Sequence, residues 1–444
     1  MLESARFGTP FPPESPAMIT DGSDLIDPAH YGAHGYPHET WARLRAEAPV
    51  YRCAPAGFEA FWAISRHADI CEISKRPDLF LNREGPVLLS DAQKRDRDER
   101  LARGEAAGFN GMRTIIEMDP PEHRSFRGVS NAWFTPNRLR GLDALVEESA
   151  RNLVDELATR NDEVVDFVKE ISARHPLRIL CRILGVEEKD EPFLLRVTNE
   201  LFGSDDPEFQ RAGDRRKATE ALGLEMYQFF SKIIEDRRAH PRPDLASLLA
   251  NAEIDSQPMG PMETFGYFLI VFTAGHETTR NAITGGAHAL IENHAERQKL
   301  RDRPSLAASA VEEIVRFSTP VNYMKRTVAK DMEFRGQSFR KGEQLVLFYA
   351  SANRDEEIFE APKEFRIERS PNRHLGFGIG EHFCLGANLA RKTSRALFRE
   401  LVGRLDSAEL AGEPEQVVSS FVAGFKHLPV RLSIAPAAEA PGTA

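Results

Sequence analysis

Apolar positions recurring every three to four residues dominate the middle of this chain. From about residue 120 to 300 the spacing predicts a series of helices, broken at Pro136, at Asp205-Asp206-Pro207 and at Pro241-Arg242-Pro243. One further helix is predicted over 36–48, and strand-like alternation follows at 49–53 and 60–65. Residues 81–113 bear Gly and Arg with weak periodicity and read as mostly loop. Short strands return over 321–348, irregular chain runs to about 383, and a long helix covers Leu385 to Arg404. Phe421 to Ser433 reads as a hairpin or two short strands. Pro10, Pro12, Pro13 and Pro16 make residues 1–20 a flexible lead, and the Ala/Pro-rich residues 435–444 a flexible tail.

Composition narrows the function classes. A net charge of −10 argues against broad nucleic-acid binding, which needs a basic surface. The cysteines Cys53, Cys71, Cys181 and Cys384 show no paired spacing. That argues against a zinc ribbon or iron–sulfur module and points to a reducing compartment. The longest nearly apolar run, Phe265 to Gly275, spans eleven residues. A bilayer needs about 20. No secretory pattern opens the chain, so a cytoplasmic protein without membrane contact is expected.

Candidate chemistry concentrates at Phe377-Gly378-Ile379-Gly380-Glu381-His382-Phe383-Cys384-Leu385-Gly386. A free cysteine is usually a small buried hydrophobe. Here it lies two residues after a basic side chain and at the start of a predicted helix, whose amides point at the sulfur. Positive charge, a helix N-terminus or a metal lowers a thiol's pKa, and all three fit. Gly378, Gly380 and Gly386 allow turns and the close approach of a flat ligand. A second string, Ala274-Gly275-His276-Glu277-Thr278-Thr279, sits in a helical stretch over 261–296. Glycine and threonines are poor helix-interior choices, which suggests a local distortion beside a ligand. An acid beside a hydroxyl can relay protons.

The cysteine string resembles, at every defining position, the haem-binding loop of the cytochrome P450 family, and the likeness extends from about residue 24 to 434. It implies a mainly α, single-domain fold with small β-sheets over 21–434, heme b (iron protoporphyrin IX), and Cys384 as the thiolate ligand of iron. It further implies that Ala274, Phe377, Gly378 and Gly386 contact the cofactor, and that His123, Arg127, Arg326 and His382 neutralise its propionates. Thr278 would stabilise bound dioxygen and Glu277 would feed protons, whereas His276 is given no role. Glu313 and Arg316 would form a structural network with Arg369, or second with Arg366. Ala352-Asn353-Arg354-Asp355 would be a structural turn. One departure is Thr393, where members often carry an acid.

The implied activity is monooxygenation of a hydrophobic molecule, terpenoid, aromatic or steroid-like, in a pocket drawn from 84–113, 196–204, 267–278, 319–324 and 421–425. Wall candidates are Leu269, Ile270, Phe272, Thr273 and Val321, with Val422 or Phe425 closing it. No second nucleotide or cluster module is visible, so electrons would come from a separate ferredoxin with its reductase. Arg391, Lys392, Arg395 and Arg399 offer a basic docking patch for it. A non-hydroxylating haem-thiolate enzyme (a peroxygenase or isomerase) and a haem-based sensor are the alternatives. Zinc at Cys384 is poor, because His382 is too near in sequence and no other cysteine is close.

Overall fold

The computed structural model describes residues 19–104 and 113–437. Most of the expected lead and tail, and residues 105–112 of the 84–113 pocket segment, lie outside the described residues. The organising element is a helix of 32 residues, Pro261–Glu292. Proline at its first position presets φ and lacks an N–H that would find no partner there. Against it pack Arg174–Ile183, Arg215–Ala239, Ala307–Ser318 and Ala387–Arg404. Aromatic rings fill the join with Arg215–Ala239: the Phe230 ring lies 5.8 Å from both Phe268 and Phe272. Burying each such ring contributes about 2–3 kcal/mol.

A five-stranded sheet stands at one edge, in the order Val50–Cys53, Phe61–Ile64, Gln344–Phe348, Tyr323–Val328, Phe80–Leu81. Phe61–Ile64 and Gln344–Phe348 run parallel, and the other neighbours are antiparallel. Alternation assigns its two faces: Trp62, Ile64, Leu345 and Leu347 join one apolar cluster, Phe61, Ala63, Val346 and Phe348 the other. This sheet carries Arg326 on its Tyr323–Val328 strand.

Two expectations need correction. Residues 81–113, read as mostly loop, contain a helix, Asp91–Ala102. It buries no side chain, so it has no apolar stripe for periodicity to find. Its start was nonetheless written in the sequence as Ser90 and Gln93, which cap each other reciprocally. Of the two readings of Phe421 to Ser433, two short strands is the one observed, and they lie in different sheets. Phe425–His427 pairs with Glu415–Gln416, while Pro429–Ile434 lies between Leu405–Leu410 and Val164–Asp166. The last of these strands sits inside the stretch read as helical. Its partner is distant in sequence, which local pattern cannot register.

Candidate active site

Cys384 lies where its loop meets the helix Ala387–Arg404. Gly378 and Gly380 have φ of 67° and 79°, and a Cβ on Gly380 would stand 2.3 Å from Ser74 O, so only glycine fits there. Gly386 differs: its φ is −84° and its Cβ position opens onto free space, so glycine there leaves room and serves no turn. Cys384 N–H donates to Phe377 O at 2.9 Å, closing the loop. Burial pushes the thiol's pKa up, against the amides of Gly386 and Ala387 and the charges of Arg127 and Arg391. The expected lowering influences are therefore present but burial outweighs them, and a coordinated metal would further favour the thiolate. Phe377 packs beside this site under the Arg391 guanidinium, 4.3 Å from the ring centre.

Four basic side chains predicted to share one ligand do converge. The rings of His123 and His382 lie 4.1 Å apart. Arg326 and Arg127 both act on His382, and burial with these charges holds it down to about 3. Burial, then Arg127, lowers His123 as well. His123 Nδ1 and His382 Nε2 are buried without a hydrogen-bond partner. Arg326 is buried and donates through Nη1 to Lys325 O at 2.8 Å. Arg127 donates to the carbonyls of Glu381 and Phe383. Unpartnered buried nitrogens beside uncompensated cations are what a pair of carboxylates would satisfy. The residues present thus fit a haem: these four side chains would hold its propionates and Cys384 its iron.

The helix Pro261–Glu292 runs without a break through 274–279, so the expected distortion is absent. Thr278 and Thr279 hydroxyls instead donate to the carbonyls of Ala274 and Gly275, at 2.7 and 2.8 Å. Ile270 and Thr278 are half-buried and Ala274 is exposed; spaced four apart they form a stripe on one face, and between 264 and 284 only Gly275 beside them is not buried. Leu269 and Phe272 point elsewhere, into the helical core, and Thr273 is buried with its hydroxyl on Leu269 O. His276 Nε2 donates to Ala173 O at 2.9 Å, away from the stripe. Val321 is half-buried and bridges to buried Val422. Phe425 packs on His288 with ring centres 4.9 Å apart, so Val422, not Phe425, borders the Val321 side.

Sequence reasoning also placed the support beneath the loop. Glu313 accepts from Arg316 Nε at 2.8 Å and Nη2 at 2.7 Å, and from Arg369 Nε at 3.1 Å. Arg366 contributes its backbone N–H, while its side chain turns to Glu364. Asn353 Oδ1 takes the Leu375 N–H, tying the 352–355 turn to the loop. The basic docking patch is partly neutralised: Arg391 pairs with Glu312, Lys392 with Asp143 and Arg399 with Glu147. Arg395 is exposed and has no ion pair among the described residues. Two residues escaped the sequence reading. Asp119 is buried and takes the N–H of Asn82 and the Arg83 guanidinium. Arg280 pairs with Glu277, and their spacing of three was the available signal.

Comparison with known proteins agrees with this geometry. The family model described as Cytochrome P450 matches residues 86–416. Cytochrome P450-terp of a Pseudomonas species is 36% identical over 406 residues, 90% of this chain and 93% of that protein. Linalool 8-monooxygenase of Pseudomonas putida is 36% identical, across 92% of this chain and 98% of its own. CYP108D1 from Novosphingobium aromaticivorans, a crystal structure, superposes with a TM-score of 0.84 at 34% identity, covering 94% of this chain and 98% of that one. Sequence and fold are shared along almost the whole length, and the chain belongs to the cytochrome P450 family.

Proposed function

We propose that this cytochrome P450 monooxygenase inserts one oxygen atom of dioxygen into a C–H bond of an apolar molecule of terpenoid, small-aromatic or steroid-like character. Heme b would be its cofactor, and a ferredoxin with its reductase its electron source. The stripe Ile270, Ala274 and Thr278 carries the reading. Its one hydroxyl is already donated to a carbonyl, so this wall offers no free hydrogen atom to a polar substrate. Supporting it are the relatives named for linalool 8-hydroxylation and steroid C26 oxidation. A Mycobacterium marinum relative, 32% identical, is described in complex with pseudoionone.

In this reading Cys384 holds the iron, and His123, Arg127, Arg326 and His382 hold the propionates. Dioxygen activation is the chemistry the haem supplies when bound. Phe377 keeps water from the sulfur side. Thr278 would offer its hydroxyl oxygen as an acceptor on the substrate side, its hydrogen being donated to Ala274 O, and Glu277 would supply protons from behind it. No described helix is long and apolar enough to cross a membrane.

The absorption spectrum of the reduced protein with carbon monoxide tests the reading first. A strongly red-shifted Soret band is expected, followed by spin-state shifts on adding terpenoid or steroid ligands. A band at the histidine-haem position would remove Cys384 as ligand, and no band would end the haem reading. Oxygen consumption unaffected by any apolar ligand would favour a binding protein.

A further inference from the structure

Two consecutive acids on the helix Ala307–Ser318 leave it about 100° apart and serve different neighbours. Glu313 goes to Arg316 and Arg369. Glu312 reaches the helix that follows the cysteine. There it accepts the Arg391 guanidinium as a fork, Nε to Oε1 at 2.7 Å and Nη2 to Oε2 at 2.8 Å. A second donor fixes the same carboxylate. His374 Nδ1 accepts from Gly376 N–H at 3.2 Å, so its hydrogen sits on Nε2, which donates to Glu312 Oε2 at 3.0 Å. The His374 side chain is 3% exposed, so water does not compete for it. Both donors also flank one ring: the Arg391 guanidinium lies 4.3 Å from the centre of Phe377, and the His374 ring 5.8 Å from it. Phe377 O in turn accepts from Cys384 N–H at 2.9 Å.

We propose that Glu312 is a positioning residue for the cysteine site: with His374 it clamps Arg391 over Phe377 and cancels the cation's field at the Cys384 sulfur. The charge of Arg391 does reach that sulfur, where it is one of the influences opposing burial. Burial pushes the Glu312 carboxyl up, but its hydrogen bonds with His374 and Arg391 outweigh that and hold it down to about 2. The clamp therefore stays charged at neutral pH. A thiolate-ligated iron becomes more negative by one charge when it is reduced, and an uncompensated cation beside it favours that state. By neutralising Arg391, Glu312 sets the potential at which the site accepts an electron. The same pairing takes Arg391 out of the cations free to meet a docking partner.

This role presupposes Cys384 as the iron ligand, and the measurements separate the two. Midpoint potentials of the haem iron are compared by spectroelectrochemistry in the wild-type holoprotein, Glu312→Gln, Arg391→Gln and the double variant. Thermal melting and haem content select the folded ones. Glu312→Gln should move the potential upward, because Arg391 is left unopposed. Arg391→Gln should move it downward, because Glu312 is left unopposed. The double variant should return close to the wild-type value, since the pair carries no net charge. Loss of packing alone would move both single variants the same way. Where only one single variant folds, its direction decides: the expected direction supports the clamp, and no shift or the opposite one overturns it. Single variants that shift together, or that keep the wild-type potential, would likewise overturn the role of Glu312. A wild-type carbon monoxide band at the histidine-haem position would instead overturn the Cys384 reading.

Discussion

Replacing Glu313 by Gln keeps the side chain's shape and removes one charge from a fully buried network. Glu313 and Arg316 are both 0% exposed. If the amide oxygen stays at the Oε1 position, Arg316 Nη2 and the Arg366 N–H keep their acceptor. At the Oε2 position an NH₂ group would then face Arg316 Nε, Arg369 Nε and Asn372 Nδ2, now 2.8, 3.1 and 3.1 Å from a carboxylate oxygen. Two guanidinium groups would lose their counter-charge. Breaking a buried pair of this kind costs about 3–5 kcal/mol. For 444 residues, an unfolding entropy of about 2.1 cal/mol/K per residue gives roughly 0.9 kcal/mol per degree. The melting temperature should therefore fall by about 3–5 °C. Arg316 also donates to the carbonyls of Asn353, Pro362 and Glu364, so displacement should reach the Leu375 contact and the cysteine loop. Calorimetry and urea unfolding of the holoprotein, with haem content measured alongside, provide the assay. A melting shift under about 1 °C with an unchanged urea midpoint would refute the reasoning.

Three further outcomes are expected. Gly380→Ala must adopt φ near 79° and push a methyl within 2.3 Å of Ser74 O. It should destabilise by about 1–3 kcal/mol and reduce haem retention, whereas unchanged retention would show that the loop yields easily. Thr278→Ala should retain haem and substrate binding but divert reducing equivalents to peroxide, read as peroxide released per electron pair consumed; fully coupled product formation would sink that role. His427 lies between Asp166, at 2.7 Å, and Glu208, at 3.0 Å. Burial pulls it down and the two acids outweigh that, leaving it raised. A raised histidine stabilises the fold fully below pH about 6.5 and loses that contribution as pH rises through its native value. The gap in urea midpoint between wild type and His427→Asn should hence narrow with rising pH, and a constant gap would count against it.

Chemistry carried by contiguous residues was legible before any coordinates. The cysteine loop, the Glu313–Arg316 spacing and the His123–Arg127 helix face each depend on local geometry, and each stands where the spacing placed it. Helix existence was legible wherever one face is buried. It failed for Asp91–Ala102, whose residues meet only solvent. Strand pairing failed where the partner is remote, as for Val164–Asp166 against Pro429–Ile434.

Periodicity could say that the residues 265–275 are apolar, but not which of them are buried and which are left open. Leu269 and Phe272 are buried in the helical core, Ile270 is half-buried against it, and Ala274 is exposed. That choice depends on what packs against each side of the helix. The same holds for charge. Arg391, Lys392 and Arg399 look like a free basic patch along the chain, yet each meets an acid from another segment. The sequence by itself determined the family and the kind of chemistry, because a short motif is a local arrangement of donors and turns. Only the tertiary structure decided how Glu277 is held, since Arg280 shares its helix but Asn199 and Gly424 arrive from elements far along the chain.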